Sequence, residues 1–262
     1  MIRALMTAAS GMKAQQTQVD TIANNIANAN TSGFKKSELS FRAMLYQTYR
    51  EPGAPTSASQ RNPTGLQVGS GTEVSGSSKI FAQGVLEPSS GKFDLALEGE
   101  GFFRVRLPSG EQRYTRDGAF HLDGQGTLVT GEGFILDGAP NIPQDAIAVS
   151  VGDDGTIATQ NSEGSLPTTA GVIPVWRFAN PAGLKAQGGN LFTETPASGV
   201  ATQGAAGLNG TGMVKQGYRE RSNVEVVDEL VGLILAQRNY EVNSRAIKAS
   251  DEMLQQVNQL VR

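Results

Sequence analysis

Both ends of this 262-residue chain carry a seven-residue apolar repeat, and the stretch between them does not. Near the N-terminus Leu5, Met12, Val19 and Ile26 stand seven apart, with Ala8 and Ile22 on the adjoining position. Near the C-terminus Val226, Leu233, Tyr240, Ile247, Leu254 and Val261 continue the same spacing without a break. A period of about 3.5 held this long is a coiled-coil seam, and a seam needs a partner helix to cover it. Residues 1–45 and 218–262 hold no proline and only three of the 32 glycines, Gly11, Gly33 and Gly232. All eleven prolines and every other glycine lie between. A chain that opens and closes in heptads around a glycine-rich insert reads as an assembly subunit.

The first helix is predicted over Ile2 to Asn28, stopped by Asn30-Thr31-Ser32-Gly33 with glycine as the left-handed cap. Phe34 to Tyr49 fits either helix or strand. Arg50 to Ser78 is Pro, Gly, Ser, Thr and Gln with few apolar anchors, and reads as an extended or irregular connector. From Lys79 to about Gly217 the period drops to two. Phe93, Leu95 and Leu97 alternate with Asp94, Ala96 and Glu98; Phe103, Val105 and Leu107 alternate with Arg104 and Arg106; Ile147, Val149 and Val151 repeat the pattern. Four Asp-Gly pairs, at Asp117, Asp123, Asp137 and Asp154, are hairpin-turn signals. Ser222-Asn223-Val224-Glu225 is a capping box that opens the last helix, which runs to about Val261. A second line on that helix, Glu229, Ala236, Asn243, Ser250 and Val257, is small or polar and permits close helix approach. The expected fold is α+β: N- and C-terminal helices forming a coiled-coil domain, with an inserted, mainly antiparallel β domain, as a small barrel or sandwich. The expected parts are a helix over 1–33, a connector over 34–78, a β-rich domain over 79–217 and a helix over 218–262.

The net charge of −3, with no basic run longer than Lys35-Lys36, argues against a nucleic-acid groove or an anionic-membrane anchor. The absence of cysteine removes disulfides, thiolate nucleophiles and Cys-zinc sites. No stretch approaches the roughly 20 apolar residues of a membrane helix, so no membrane insertion is expected. Arg3, Ala4 to Met12 and Lys13 resemble a signal peptide only faintly, and cleavage would destroy the seam from Leu5 to Ile26. His121, the single histidine, alternates outward in Ala119-Phe120-His121-Leu122-Asp123 and reads as an exposed strand residue. No G-x-S-x-G elbow accompanies it. Gly99-Glu100-Gly101-Phe102-Phe103-Arg104 lacks the third glycine and the helix of a dinucleotide motif. Asp153-Asp154-Gly155 reads as a turn, not a calcium loop, and Trp176 as core. No catalytic residue, metal ligand or cofactor is expected.

Four asparagines remain in Ala23-Asn24-Asn25-Ile26-Ala27-Asn28-Ala29-Asn30, on a helix that asparagine disfavours. Either the helix frays there, or the amides of Asn24, Asn25 and Asn28 bond to neighbouring subunits. Ala23 through Lys35 resembles the signature of bacterial flagellar axial proteins, the rod and hook family. So do Leu45-Tyr46-Gln47-Thr48, Arg50-Glu51-Pro52-Gly53, Gly99 to Phe103, Tyr114 to Gly118, Gln216 to Glu225 and Gln237-Arg238-Asn239-Tyr240-Glu241, in order along nearly the whole chain. The length suits a rod subunit better than the longer hook protein. The resemblance implies export without a cleaved signal peptide through the flagellar type III apparatus, and a basal-body location spanning the periplasm. It also implies a helical homopolymer whose neighbours are proximal rod proteins, the hook protein and the surrounding periplasmic and outer-membrane rings. The candidate assembly residues are then the helix-seam positions together with Asn24, Asn25 and Asn28. Proximal rod paralogues share the first signature and the tail, and a secreted β-rich peptidoglycan hydrolase or binding module stays a competing reading.

Overall fold

The computed structural model describes residues 2–53, 63–161, 166–208 and 210–260. A helix stands at each end and the middle is mostly antiparallel β, so the chain is α+β. It divides into two compact units, one of Met1–Ile26, Ser37–Ser78 and Glu225–Arg262, the other of Ala27–Lys36 and Lys79–Val224.

In the first unit, α1 (Ile2–Ala27) and α2 (Val226–Leu260) are 26 and 35 residues long, or about 39 and 52 Å. Asp228 and Glu229 lie in the first turn of α2, where negative charge complements the helix dipole. The helix starts later than the capping box predicts: Ser222 Oγ accepts from the Val224 N–H at 3.3 Å, and the helical turns begin only at Val226. α1 and α2 meet at three points. A Cβ on Gly11 would stand 3.0 Å from Asn243 Nδ2, one on Gly232 would stand 3.4 Å from Ile22 Cδ1, and Asn25 Nδ2 donates to Glu229 Oε2 at 3.2 Å. As the position on α1 rises, its partner on α2 falls, so the helices run antiparallel. Two of the three glycines in the terminal segments therefore mark close approach.

The segment expected as an extended or irregular connector carries strands. Ser37–Ala43 sits beside Thr72–Lys79, and Gln47–Arg50 pairs antiparallel with Leu66–Val68, Gln47 opposite Val68. Arg3 donates to Tyr49 Oη at 2.7 Å and to Val68 O at 2.8 Å, which ties this hairpin to α1. Pro55, one of the three prolines of that segment, lies outside the described residues.

In the second unit, seven strands form one sheet in the order Lys185–Gly188, Leu191–Thr193, Gln112–Thr115, Phe103–Arg106, Ile135–Leu136, Leu128–Thr130 and Phe120–Leu122, every pair antiparallel. Ala148–Val151, Thr156–Gln160 and Thr168–Val172 form a second, three-stranded antiparallel sheet. Leu95, Leu97, Phe103, Val105, Phe120, Leu128, Leu136 and Ile157 build the main core. Phe102, Tyr114, Trp176, Phe178 and Phe192 build a second, aromatic one, in which the rings meet edge to face. Trp176 is buried as expected, under the Arg104 guanidinium at 3.7 Å from the ring centre.

The strict alternation expected around Leu95 does not hold. Leu95, Ala96 and Leu97 are all buried, and so is Asp94. Arg219 Nη2 donates to Asp94 Oδ1 at 2.9 Å and Ser89 Oγ bonds its other oxygen. Burial pushes this carboxyl up, yet the bonds from Arg219 and Ser89 hold it below the usual aspartate range. Asp154-Gly155 turns the hairpin between Ala148–Val151 and Thr156–Gln160. Asp117-Gly118 serves otherwise: a Cβ on Gly118 would stand 1.5 Å from Leu95 O. Nor does Gly33 cap α1, which has already ended at Ala27. Gly33 takes φ +67°, its N–H donates to Glu220 O at 2.8 Å, and a Cβ would stand 2.5 Å from Asp117 N.

Candidate assembly site

The heptad residues supply the site, but the helix face that is covered within the chain is not the one with the large side chains. On α1, Ala8, Ala14, Ile22 and Asn25 are buried, while Leu5, Met12, Val19 and Ile26 are half-buried. On α2, Ala236 and Ser250 are buried, and Glu229 and Asn243 half-buried, so the small and polar line is the one turned to α1. Leu233, Ile247 and Leu254 are half-buried and Tyr240 is exposed. Val261 lies outside the described residues. Small residues leave room for side chains from the other helix, as Gly11 does for Asn243 and Gly232 for Ile22, and the larger row lies to the flank. There Val19 and Tyr240, with Gln16, Gln237 and Glu241, line an open cleft of about 440 Å³.

The opposite face of α2 is apolar and bare. Val227, Leu230, Val231, Ile234 and Leu235 fall at i, i+3, i+4, i+7 and i+8, one stripe on a helix surface. Val227 is 72%, Ile234 51% and Leu235 57% exposed. Reading only the seven-residue series missed this stripe, although its spacing was present in the sequence.

The asparagines separate into distinct roles. Asn25 is buried; both its amide hydrogens and its carbonyl are used within the chain, on Ser37 O at 3.0 Å, Glu229 Oε2 at 3.2 Å and the Ser37 N–H at 2.9 Å. One side chain thus binds the last turn of α1, the first strand and the start of α2. Asn28 Oδ1 accepts from Thr31 Oγ1, and Asn30 Oδ1 from Arg221 Nη2, so both shape the chain leaving α1. Asn24 is exposed.

The gathering of Lys35, Arg116 and Glu220 gave no sequence signal, because charged residues this far apart do not reveal a shared site. Burial pulls the Lys35 and Arg116 side chains below their usual basic ranges, with Glu220 acting against that pull. Burial also pushes the Asp117 carboxyl up, although its Oδ1 accepts the Ala119 N–H. His121 is exposed on Phe120–Leu122, and Leu122, expected to point inward, is partly exposed as well. Among the described residues no three His, Cys, Asp or Glu side chains gather as metal ligands.

One unit thus holds an antiparallel terminal helix pair with a bare apolar stripe, and the other a β body. Residues 5–35 match the family of flagella basal body rod proteins, residues 96–159 the D1 domain of flagellar hook proteins FlgE/F/G, and residues 215–260 the C-terminal region of basal body rod FlgEFG proteins. The chain belongs to the flagellar basal-body rod protein family. It is 44% identical over 266 residues to the flagellar basal-body rod protein FlgG of Borreliella burgdorferi, with all of both chains covered. It is 44% identical to FlgG of Caulobacter vibrioides over 260 residues, 99% of each chain, and 40% identical to FlgG of Bacillus subtilis over the whole of both.

Proposed function

We propose that this chain is a structural subunit of the flagellar distal rod, polymerising through its terminal helices into a hollow helical shaft that carries motor torque to the hook. The observation that carries the reading is the bare stripe of Val227, Leu230, Val231, Ile234 and Leu235 on the far side of α2 from α1. Apolar area left in water on a helix costs about 25 cal/mol per Å², and covering it on a neighbouring copy recovers that energy. In the polymer the half-buried heptad rows then close as a coiled coil, and the cleft beside Val19 and Tyr240 is filled.

The full-length relatives named as rod proteins support the structural reading over a wall hydrolase or a small binding module. The rod would stand in the basal body, bordered by proximal rod proteins, the hook protein and the periplasmic and outer-membrane rings, after export with its N-terminal helix intact. No helix among the described residues is long and apolar enough to cross a membrane. Electron microscopy of the purified protein at rising concentration tests the proposal. Tubes of uniform width are expected, with no release of fragments from purified peptidoglycan. Protein that stays monomeric at high concentration, or that cleaves the wall, would overturn it.

A further inference from the structure

Glu220 uses its backbone oxygen and both carboxylate oxygens, and together they reach three separate stretches of the chain, around Lys35, Gly84 and Arg116. Its backbone oxygen takes the Gly33 N–H at 2.8 Å. Its Oε1 takes Lys35 Nζ at 2.6 Å and the Gly84 N–H at 2.9 Å. Its Oε2 faces Arg116 Nη1 at 3.4 Å. The Lys35 and Glu220 side chains are fully buried and that of Arg116 nearly so. Each cation also bonds a backbone oxygen, Lys35 Nζ on Ala82 O and Arg116 Nη2 on Gly99 O, both at 2.8 Å, while the buried Arg116 Nε meets no acceptor. The same crossing is stitched again by Asn223, whose amide donates to Ile80 O at 2.8 Å and accepts the Lys36 N–H at 2.8 Å. Backbone contact is too close there for any side chain at position 84, where a Cβ would stand 1.9 Å from Arg221 O.

Three charges are a poor way to stabilise this place. Withdrawing ions from water costs more than their attraction returns, compared with apolar side chains of similar volume. Two cations share one carboxylate here, so the cluster also keeps a surplus positive charge. What charged groups supply and apolar ones do not is direction, because every donor must meet its acceptor. The cluster lies within the β unit, close in sequence to three of its ends: 33–36 before the chain leaves after Lys36, 80–84 after it returns at Lys79, and 220–223 before it leaves after Val224.

We propose that Glu220, with Lys35 and Arg116, is a positioning clasp that fixes the paths of the chain into and out of the β body by binding segments 33–36, 80–84 and 220–223 to one another. Its bearing on assembly rests on the rod reading; its bearing on the path of the chain does not.

The test compares the full-length wild type with Glu220→Gln and with the apolar triple variant Lys35→Met/Arg116→Met/Glu220→Met. Hydrogen exchange on the monomer and thermal melting of the β body are read side by side. The triple variant is expected to melt at the wild-type temperature or above it. Its backbone amides over 27–36 and 218–224 should exchange about tenfold faster, and its tubes should be missing or irregular. Glu220→Gln, which strands two buried cations, should melt lower and exchange faster over the same residues. Wild-type protection in the triple variant would overturn the clasp. So would a melting temperature several degrees lower in the triple variant, since the charges would then be carrying stability. Wild-type protein that forms no tubes would strike the rod reading alone and leave the exchange comparison standing.

Discussion

Asn25 on α1 reaches Glu229 on α2 through a 3.2 Å hydrogen bond, while its remaining amide hydrogen and its carbonyl hold Ser37. Because Asn25 is buried, truncating it strands the Ser37 peptide groups without water to replace the amide. Asn25→Ala is expected to destabilise the helix pair by about 1–3 kcal/mol and to leave the β body's melting unchanged. Urea titration followed by the helical circular dichroism band, alongside near-ultraviolet signals from the body's Trp176, checks this. A shift of both transitions together would count against it.

Ile234→Asp and Leu235→Asp place charge on a stripe that is already in water, so the monomer should keep its stability within about 0.5 kcal/mol. Tube formation should disappear, because burying the unpaired carboxylate against a neighbour is costly. Leu254→Asp, at a half-buried seam position, should abolish tubes and also loosen the monomer. His121→Ala, on an exposed strand position, should leave motility intact. Sedimentation and swimming assays separate these outcomes, and a soluble, tube-forming Ile234→Asp protein would place the interface elsewhere.

Asp117 sets a pH dependence. Burial raises its folded value above the ordinary 3.8, so the folded state holds its proton more tightly than the unfolded state does. The stability this contributes is complete below 3.8 and is lost as pH rises through the elevated folded value. Asp117→Asn keeps an oxygen for the Ala119 N–H and never ionises. Its advantage in melting temperature over the wild type should therefore widen from acid to neutral pH, which calorimetry across that range measures. An advantage that shrinks toward neutrality would refute the assignment.

Much of this arrangement could be read in the residues beforehand. The heptads give two helices because a seven-residue period has few other uses, and the Phe103/Val105 alternation gives a half-buried strand. What could not be read depends on residues distant in sequence. Asp94 is buried only because Arg219 comes to it, and the alternation rule has no knowledge of Arg219. Lys35 and Glu220 meet on the same terms. The hairpin of Gln47–Arg50 with Leu66–Val68 escaped notice because its flanks are polar and its strands short. On α2 the large apolar row and the small polar row were both visible, but which one turns to α1 shows only once the helices are paired, where Gly11 meets Asn243 and Gly232 meets Ile22.

That hairpin carries its own expectation. Leu45 is 90% exposed, and Tyr46, Tyr49 and Leu66 are exposed beside it. We propose that these side chains lock against adjacent subunits and stiffen the shaft. Deleting residues from between Arg50 and Leu66 should still permit tubes but lower their bending rigidity. Electron micrographs would measure it from contour fluctuations, and rods as straight as the wild type would rule the stiffening role out.

The discontinuity of the helical unit has a consequence for time. Asn25 and Glu229 are 204 positions apart, and closing so long a loop is slow compared with forming the local hairpins of the body. From whichever terminus folding proceeds, α1 cannot meet α2 until almost all of the chain is available. The sticky stripe on α2 is thus presented on a finished helix pair only at the end of folding. A chain built this way completes its helix pair last, after the local hairpins of its β body.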